Sequence, residues 1–372
     1  MNTRALWAEV DLSAIKHNLQ QAQKAVGDTV KVMAIVKANA YGHGLVRVAR
    51  AAGEAGATAF GVAIPEEGVV LREAGIAGPI LVLAEAANSA APLIVANDLT
   101  ATIFSNGSAR ALSNEATSRD RVMRVHVKVD TGMNRVGLAP EHAPALIREL
   151  LQLPGLKVEG IFTHLSEADD VKSDYTAFQL KRFKALIEEL KAAGICPPVR
   201  HAANSAGVYL HPESHFDMVR IGISLYGLHP SEATRGKIDL RPALSLKARL
   251  SYVKKLSRGE GVSYGRTYTA PRDTVIVTVP AGYGDGYSRL LSNRVEVLIG
   301  GRRFPAVGNI CMDQFMVDIG LDTAIEADDE VVLIGRQGSE AITADEIASL
   351  LGTINYEVVC MINGRVPRVY KE

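Results

Sequence analysis

The residue in this sequence with the clearest capacity for covalent chemistry is a lysine at the end of an apolar run. Lys37 follows Lys31-Val32-Met33-Ala34-Ile35-Val36 and precedes Ala38-Asn39-Ala40-Tyr41-Gly42-His43-Gly44. The β-branched run has the composition of a buried parallel strand, and a helical pattern, residues 45–52, starts directly after the glycines. Lys37 therefore belongs to the loop between a strand end and a helix, the functional edge of parallel α/β proteins. An amine leaving a dry strand end is poorly solvated, which lowers its pKa and suits it to Schiff-base or general-base chemistry. A lysine before a glycine turn is ordinarily a surface residue, and it is the neighbours here that argue otherwise.

Reactive types recur at other strand ends. Lys128, Asp130 and Arg135 close or follow the run 122–129, His164 follows 156–162, Asn204 and Ser205 follow 199–202, and Arg220, Gly222 and Ile223 close or follow 217–220. Each has an ordinary explanation alone: a helix cap for Ser205, a turn for Gly222, a salt bridge for Arg220. Their agreement on one edge points to a site. Ser205 can donate a hydroxyl hydrogen, Gly222 permits close backbone approach, and Ile223 offers an amide, which together suit a phosphate. Arg220 can only donate hydrogen bonds. Opposite a heteroaromatic ring nitrogen it would leave that nitrogen unprotonated.

The elements needed to position these groups are legible as a rhythm. Apolar strand candidates occur at 31–36, 59–62, 80–83, 99–103, 122–129, 156–162, 199–202 and 217–220, separated by helical patterns that include 66–74, 108–116, 143–153 and 174–193. A strand at 6–10 and a helix at 14–26 precede them. Eight strands alternating with helices predict a (β/α)8 TIM-like barrel, with an open doubly wound sheet, which needs no closure at eight, as the alternative. Catalytic groups of such barrels come from the C-terminal strand ends, where all the residues above fall. The rhythm stops in a polar stretch, 229–236, which reads as a linker. Beyond it come short strands with glycine-rich turns, at 246–253, 274–279, 295–299, 302–306, 315–318, 330–334 and 366–370, and one helical piece near 343–351. The predicted domains are thus a barrel over 1–236 and a mostly β C-terminal domain over 237–372.

Composition narrows the function classes. The 372 residues are 47% hydrophobic and 22% charged, enough to bury one large or two ordinary cores. Lysine plus arginine equals aspartate plus glutamate at 41 each, so there is no basic excess for a nucleic acid. Three cysteines, Cys196, Cys311 and Cys360, lack metal-ligand spacing and argue against structural disulfides and metal. The N-terminal stretch has no signal-like apolar core, and no run is long enough to span a bilayer, so the expectation is a cytoplasmic protein with no membrane partner.

The lysine segment 36–44, together with Lys128-Val129-Asp130-Thr131-Gly132-Met133-Asn134-Arg135-Val136-Gly137, Met218-Val219-Arg220-Ile221-Gly222 and Gly261-Val262-Ser263-Tyr264-Gly265, resembles the alanine racemases. These are pyridoxal phosphate enzymes that interconvert L- and D-alanine, and the resemblance extends over nearly the whole sequence. It implies a pyridoxal 5'-phosphate cofactor on Lys37, with its phosphate held at Ser205, Gly222 and Ile223 and helped by Asn204, Tyr41 and Tyr356. Arg135 would hydrogen-bond the cofactor's phenolic oxygen and the substrate, oriented by Lys128, which is often carbamylated in the family. Two proton carriers are implied, Lys37 on one face and Tyr264 on the other. His164, Arg220 and His201 would tune the tyrosine, since a free tyrosine near pKa ~10 is a poor base. In the family this tyrosine, and the segment matching Cys311-Met312-Asp313 whose backbone helps bind the substrate carboxylate, come from the partner subunit of a homodimer. The implied role is D-alanine supply for peptidoglycan. The resemblance also leaves the strand at 6–10 open to joining the C-terminal domain. Racemisation of serine or another small amino acid is an open alternative. Barrel-type decarboxylases would place glutamate and cysteine where Arg220 and Tyr264 stand, while pyridoxal-phosphate-binding homeostasis proteins lack the second domain. A sugar-phosphate barrel enzyme gives no reason for the lysine, arginine and tyrosine set.

Overall fold

The computed structural model describes residues 4–321 and 324–372. It divides into two compact units, one formed by Ser13–Ala40 and Leu45–Arg241, the other by the residues up to Leu12, by Tyr41–Gly44 and by those from Pro242 onward. The first strand, β1 (Leu6–Asp11), belongs to the second of these.

In the first unit β2 (Lys31–Ile35), β3 (Ala59–Val62), β4 (Ile80–Val82), β5 (Thr100–Ile103), β6 (Met123–Lys128), β7 (Leu156–Phe162), β8 (Val199–His201) and β9 (Met218–Ile221) form one parallel sheet. Its order is β8-β7-β6-β5-β4-β3-β2-β9. The first strand in sequence pairs with the last, Met33 opposite Arg220. Backbone bonds from Asp217 to Arg200 O (3.0 Å) and from Arg220 to Ala203 O (3.0 Å) join β9 to β8, so the sheet closes as the eight-strand count predicts. Strands such as β3 and β9 are buried along their whole length, which is why they read as continuous apolar runs. Two short helices escaped the pattern, Ala91–Ala96 and Ser205–Leu210, each too brief to display a period of its own. The polar stretch 229–236 does not end this unit. Asn18 Nδ2 donates to Leu225 O and Arg241 O while its Oδ1 accepts from Arg241 N, which ties the residues up to Arg241 onto the helix Leu12–Val26.

The second unit is built on an antiparallel framework. Its strands are β10 (Leu244–Arg249), β11 (Tyr252–Leu256), β12 (Gly261–Val262), β13 (Tyr268–Thr269), β14 (Thr274–Val279), β15 (Glu296–Ile299), β16 (Arg302–Val307), β17 (Phe315–Gly320), β18 (Glu330–Gln337), β19 (Glu340–Ile342) and β20 (Arg368–Lys371). The large sheet runs β11-β14-β17-β16-β15-β18-β10-β1-β20, with β1 antiparallel to β10 and parallel to β20. Two expectations need correction here. The apolar stretch 246–253 is two strands broken at Leu250-Ser251, and β10 and β11 lie far apart in the sheet order. The single expected helix is two, Ala344–Leu351 and Asn355–Met361. The first is capped by Thr343, whose hydroxyl accepts from Glu346 N (3.0 Å), and stopped by Gly352 at φ 72°.

Candidate active site

Lys37 lies half-buried at the C-terminal end of β2, and the residues after it form neither an ordinary loop nor the start of the helix. Ala38, Asn39, Ala40 and Tyr41 all have φ between 52° and 54°, a left-handed turn without a glycine. L-residues resist this conformation by about 1–2 kcal/mol each, so the surroundings must enforce it. Glu67 does so from the next strand–helix unit: one oxygen accepts from Ala38 N (2.6 Å) and the other from Ala63 N (2.9 Å). Ala40 N bonds back to Val36 O (2.8 Å), and Asn39 Oδ1 accepts from Leu45 N (2.9 Å). In the second unit Tyr41 is buried, its ring 6.3 Å from that of Tyr356, and burial pushes its hydroxyl well above the usual tyrosine range. Gly42 there has φ 83°, and a Cβ would stand 2.2 Å from Val359 O.

Arg220 is not beyond its strand but inside β9, pointing into the barrel at 3% exposure. Its Nη1 donates to His201 Nδ1 (2.9 Å); its Nη2 serves Thr163 O (2.9 Å), Ala202 O (3.0 Å) and His164 Nδ1 (3.0 Å). Burial brings its pKa down to about 9, which leaves it charged at neutral pH. Burial, followed by the Arg220 charge, holds both His164 and His201 well below the usual histidine range. Both rings are therefore neutral acceptors at Nδ1, with their protons on Nε2. Phe162, which no sequence signal singled out beyond its place before His164, underlies the group. His201 stacks on it at 4.6 Å, Arg220 lies 5.4 Å and Lys128 5.1 Å from its centroid.

Lys128, the last residue of β6, is buried, and its pKa falls to about 8 through burial first and then the charges of Arg220, Arg135 and Lys37, against Asp130. Arg135 itself is exposed, on a turn that Asp130 holds by accepting from Gly132 N (2.9 Å) and Asn134 N (3.1 Å). His164 is set by buried Gln179, which donates to His164 O (3.0 Å) and accepts from Ser166 N (2.9 Å). Asn204 caps the helix Ser205–Leu210 by accepting from Gly207 N (3.0 Å) and reaches Leu165 O (3.2 Å), so its side chain fastens two adjacent rim loops together. Ser205 Oγ receives Gly222 N (2.9 Å), Ser224 N (3.4 Å) and Ser224 Oγ (3.1 Å). Three donors on one hydroxyl oxygen exceed its two lone pairs. Ile223 begins a short 3-10 turn, whose first amide has no partner within the turn. This corner suits an oxygen-rich anion, and Ser224 is the member that sequence reading missed.

In the second unit Tyr264 is 73% exposed, at a turn where Ser263 has φ 63°. Asn309 Nδ2 donates to Tyr264 O (2.6 Å) and Ser263 Oγ to Asn309 O (2.6 Å), which fixes the turn while the phenol projects outward. Met312 is also exposed, and its carbonyl accepts from Gly284 N (2.9 Å). Gly282 allows this approach, since a Cβ there would lie 2.4 Å from Met312 O. Asp313 is held by Arg365 (2.6 Å). Among the described residues no helix is long and apolar enough to cross a membrane.

A closed eight-stranded parallel barrel with a cationic rim, followed by an antiparallel β unit, is the architecture of a barrel-type amino-acid racemase. The family described as alanine racemase, N-terminal domain, matches residues 10–230, and alanine racemase, C-terminal domain, matches residues 243–370. The chain belongs to the alanine racemase family, and it is an isomerase of that family. An alanine racemase of Symbiobacterium thermophilum is 51% identical over 99% of this chain and 97% of its own length. A solved alanine racemase from Bacillus anthracis with bound L-Ala-P is 38% identical, with a TM-score of 0.95 over 100% of this chain and 96% of that one. A solved histidine racemase from Leuconostoc mesenteroides is 31% identical, with a TM-score of 0.92 over 100% and 99%.

Proposed function

We propose that the protein interconverts L- and D-alanine as a homodimer that carries pyridoxal 5'-phosphate, in the cytoplasm, to supply D-alanine for peptidoglycan. The observation that carries this reading is Arg220. Its Nη atoms donate to His201, His164 and two carbonyls, and its Nε–H makes no hydrogen bond to a described residue. That spare N–H fits an acceptor nitrogen such as the cofactor ring's. The three donors at Ser205 and the Ile223 amide fit its phosphate, and Lys37 stands at the strand end where a carbonyl would be captured.

Bound pyridoxal 5'-phosphate supplies an electron-accepting ring that makes the substrate's α-hydrogen acidic. The protein's own groups decide where that proton goes. Arg220 Nε donates without transferring a proton, so negative charge stays near the α-carbon, favouring reprotonation there over transamination. Lys37 Nζ moves the proton on one face. On the other, Tyr264 Oη of the partner subunit does so, and neutral His164 offers Nε2–H to that oxygen, stabilising a phenolate. Arg135, carried on the Asp130 turn, and the Met312 backbone of the partner subunit hold the substrate carboxylate, with Asp313 bracing that segment through Arg365. Tyr41 and Tyr356 complete the phosphate contacts, and Asn204 steadies the Ser205 helix. The cationic neighbours of Lys128 favour its carbamate, an anion that would orient Arg135. A histidine racemase of the same fold leaves substrate breadth to the pocket side chains, so the test is a panel of L-amino acids assayed by chiral separation. Alanine should turn over fastest, with borohydride reduction attaching the cofactor to Lys37. Turnover of another amino acid with none of alanine would overturn the substrate assignment.

A further inference from the structure

Arg220 is a buried cation whose acceptors are all neutral: two carbonyls, His164 and His201. Buried charges are ordinarily paired, and following the hydrogen bonds outward leads to a carboxylate. His201 accepts from Arg220 at Nδ1, so its proton is on Nε2, 2.8 Å from His126 Nδ1. His126 must then carry its own proton on Nε2, which lies 3.5 Å from Glu159 Oε2. Each donor faces an acceptor, in one direction only, and the relay ends on the carboxylate.

The backbone is shaped around this relay. A Cβ on Gly160 would stand 2.6–2.7 Å from His126 ring atoms, so glycine there is what admits the imidazole. The pairing of β6 with β7 shifts register between Val125 and His126, leaving Glu159 as the unpaired residue of a bulge, the device by which strands re-aim a side chain. Phe162 holds the His201 ring by parallel stacking. Glu159 lies beside a cavity of about 90 Å³ at the N-terminal strand ends, among Lys31, Thr100, Val199 and Met218, opposite the catalytic rim. Its side chain is 25% exposed, so water still solvates it. The facing His126 imidazole, with help from Arg124 and Lys157, holds its carboxyl below the usual range.

We propose that Glu159 and His126 are positioning residues for the reaction: the carboxylate acts through His126 and His201 as the distant counter-charge of Arg220, fixing both ring tautomers and strengthening the hold on the guanidinium. Distance serves the chemistry. A carboxylate touching Arg220 would stand where it could exchange a proton with the cofactor ring, whereas two neutral imidazoles deliver negative potential without that hazard. The catalytic part of this inference rests on the proposed role of Arg220; the relay does not.

The test is Glu159→Gln, which keeps an acceptor for His126 and removes the charge, with Glu159→Asp to restore it. In histidine-¹⁵N-labelled protein, the His201 Nδ1 resonance of Glu159→Gln should move toward that of an unbonded imidazole nitrogen. The kcat should fall about fivefold, as for one weakened hydrogen bond, with KM nearly unchanged, and Glu159→Asp should recover most of both. Unchanged His201 signals in Glu159→Gln would overturn the proposal whatever happens to kcat. Shifted signals with full kcat would overturn the positioning role. A parent that shows the Nε2–H tautomers but racemises nothing would instead count against the proposed function.

Discussion

Replacing Lys128 by methionine isolates the electrostatic cost concentrated at the barrel rim. The amine lies 5.1 Å from the Phe162 centroid at 6% exposure, with Arg220, Arg135 and Lys37 adding like charge to its burial. A fall in pKa from 10.5 to about 8, at about 1.4 kcal/mol per pH unit, costs the ionised folded form up to about 3 kcal/mol. Methionine has nearly the same length, no charge, and a flexible chain that packs against aromatic rings. Proton counts fix the sign. Between pH 8 and 10.5 the unfolded lysine keeps a proton that the folded one has released, so the parent gains stability as pH rises through that window. The whole cost is present below it and gone above it. In carbon-dioxide-free buffer at neutral pH, Lys128→Met should therefore be about 1–3 kcal/mol more stable than the parent, and the two should converge by pH 10.5. Bicarbonate should narrow the neutral-pH gap by converting the parent's amine to a carbamate, which intact-mass measurement would detect. Denaturant unfolding across pH, with and without bicarbonate, makes the comparison. A difference independent of pH, or a variant less stable than the parent at neutral pH, would refute the reasoning.

Arg220→Leu removes the N–H proposed for the ring nitrogen and orphans His201 Nδ1 and His164 Nδ1; kcat should fall by a factor on the order of 10²–10³, and transamination should become measurable as pyruvate. Ser205→Ala deletes one hydrogen bond to a charged group, worth about 1.5–3 kcal/mol, so the cofactor Kd should rise roughly tenfold to a hundredfold and excess pyridoxal 5'-phosphate should restore activity; an unchanged Kd would place the phosphate elsewhere. Lys37→Ala and Tyr264→Phe should each be nearly inactive, yet on subunit mixing about a quarter of the parent's activity should return, because half the dimers become heterodimers with one intact site of two. Confirmed heterodimers that stay inactive would show that Tyr264 serves its own subunit.

The sequence by itself determined the barrel and the edge on which the candidate site residues lie. Apolar strands separated by amphipathic helices admit few topologies, and in a closed barrel the strand ends that bear Lys37, His164, Ser205 and Arg220 share one rim by construction. Local signals placed Ser205 at a helix start and Gly222 before a short turn, where the two are joined by a hydrogen bond. The roles proposed for Tyr264, Met312 and Lys128 came from the resemblance rather than from pattern, because a tyrosine before glycine or a lysine at a strand end is chemically ambiguous alone. Other features existed only once the sheet had closed. Met33 pairs with Arg220 across the full length of the barrel sequence, and only that closure determines which carbonyls and imidazoles surround the guanidinium. The left-handed turn at Ala38–Tyr41 contains no glycine to betray it, since Glu67 on a different element enforces it. The break at Leu250-Ser251 was invisible because apolar residues alternate without interruption across it, at Leu246, Ala248, Leu250 and Tyr252. Likewise Glu159 and His126 read as ordinary strand residues. A one-residue bulge and the empty face of Gly160 bring them to the relay behind Arg220, and register is a property of two paired strands that neither strand carries alone.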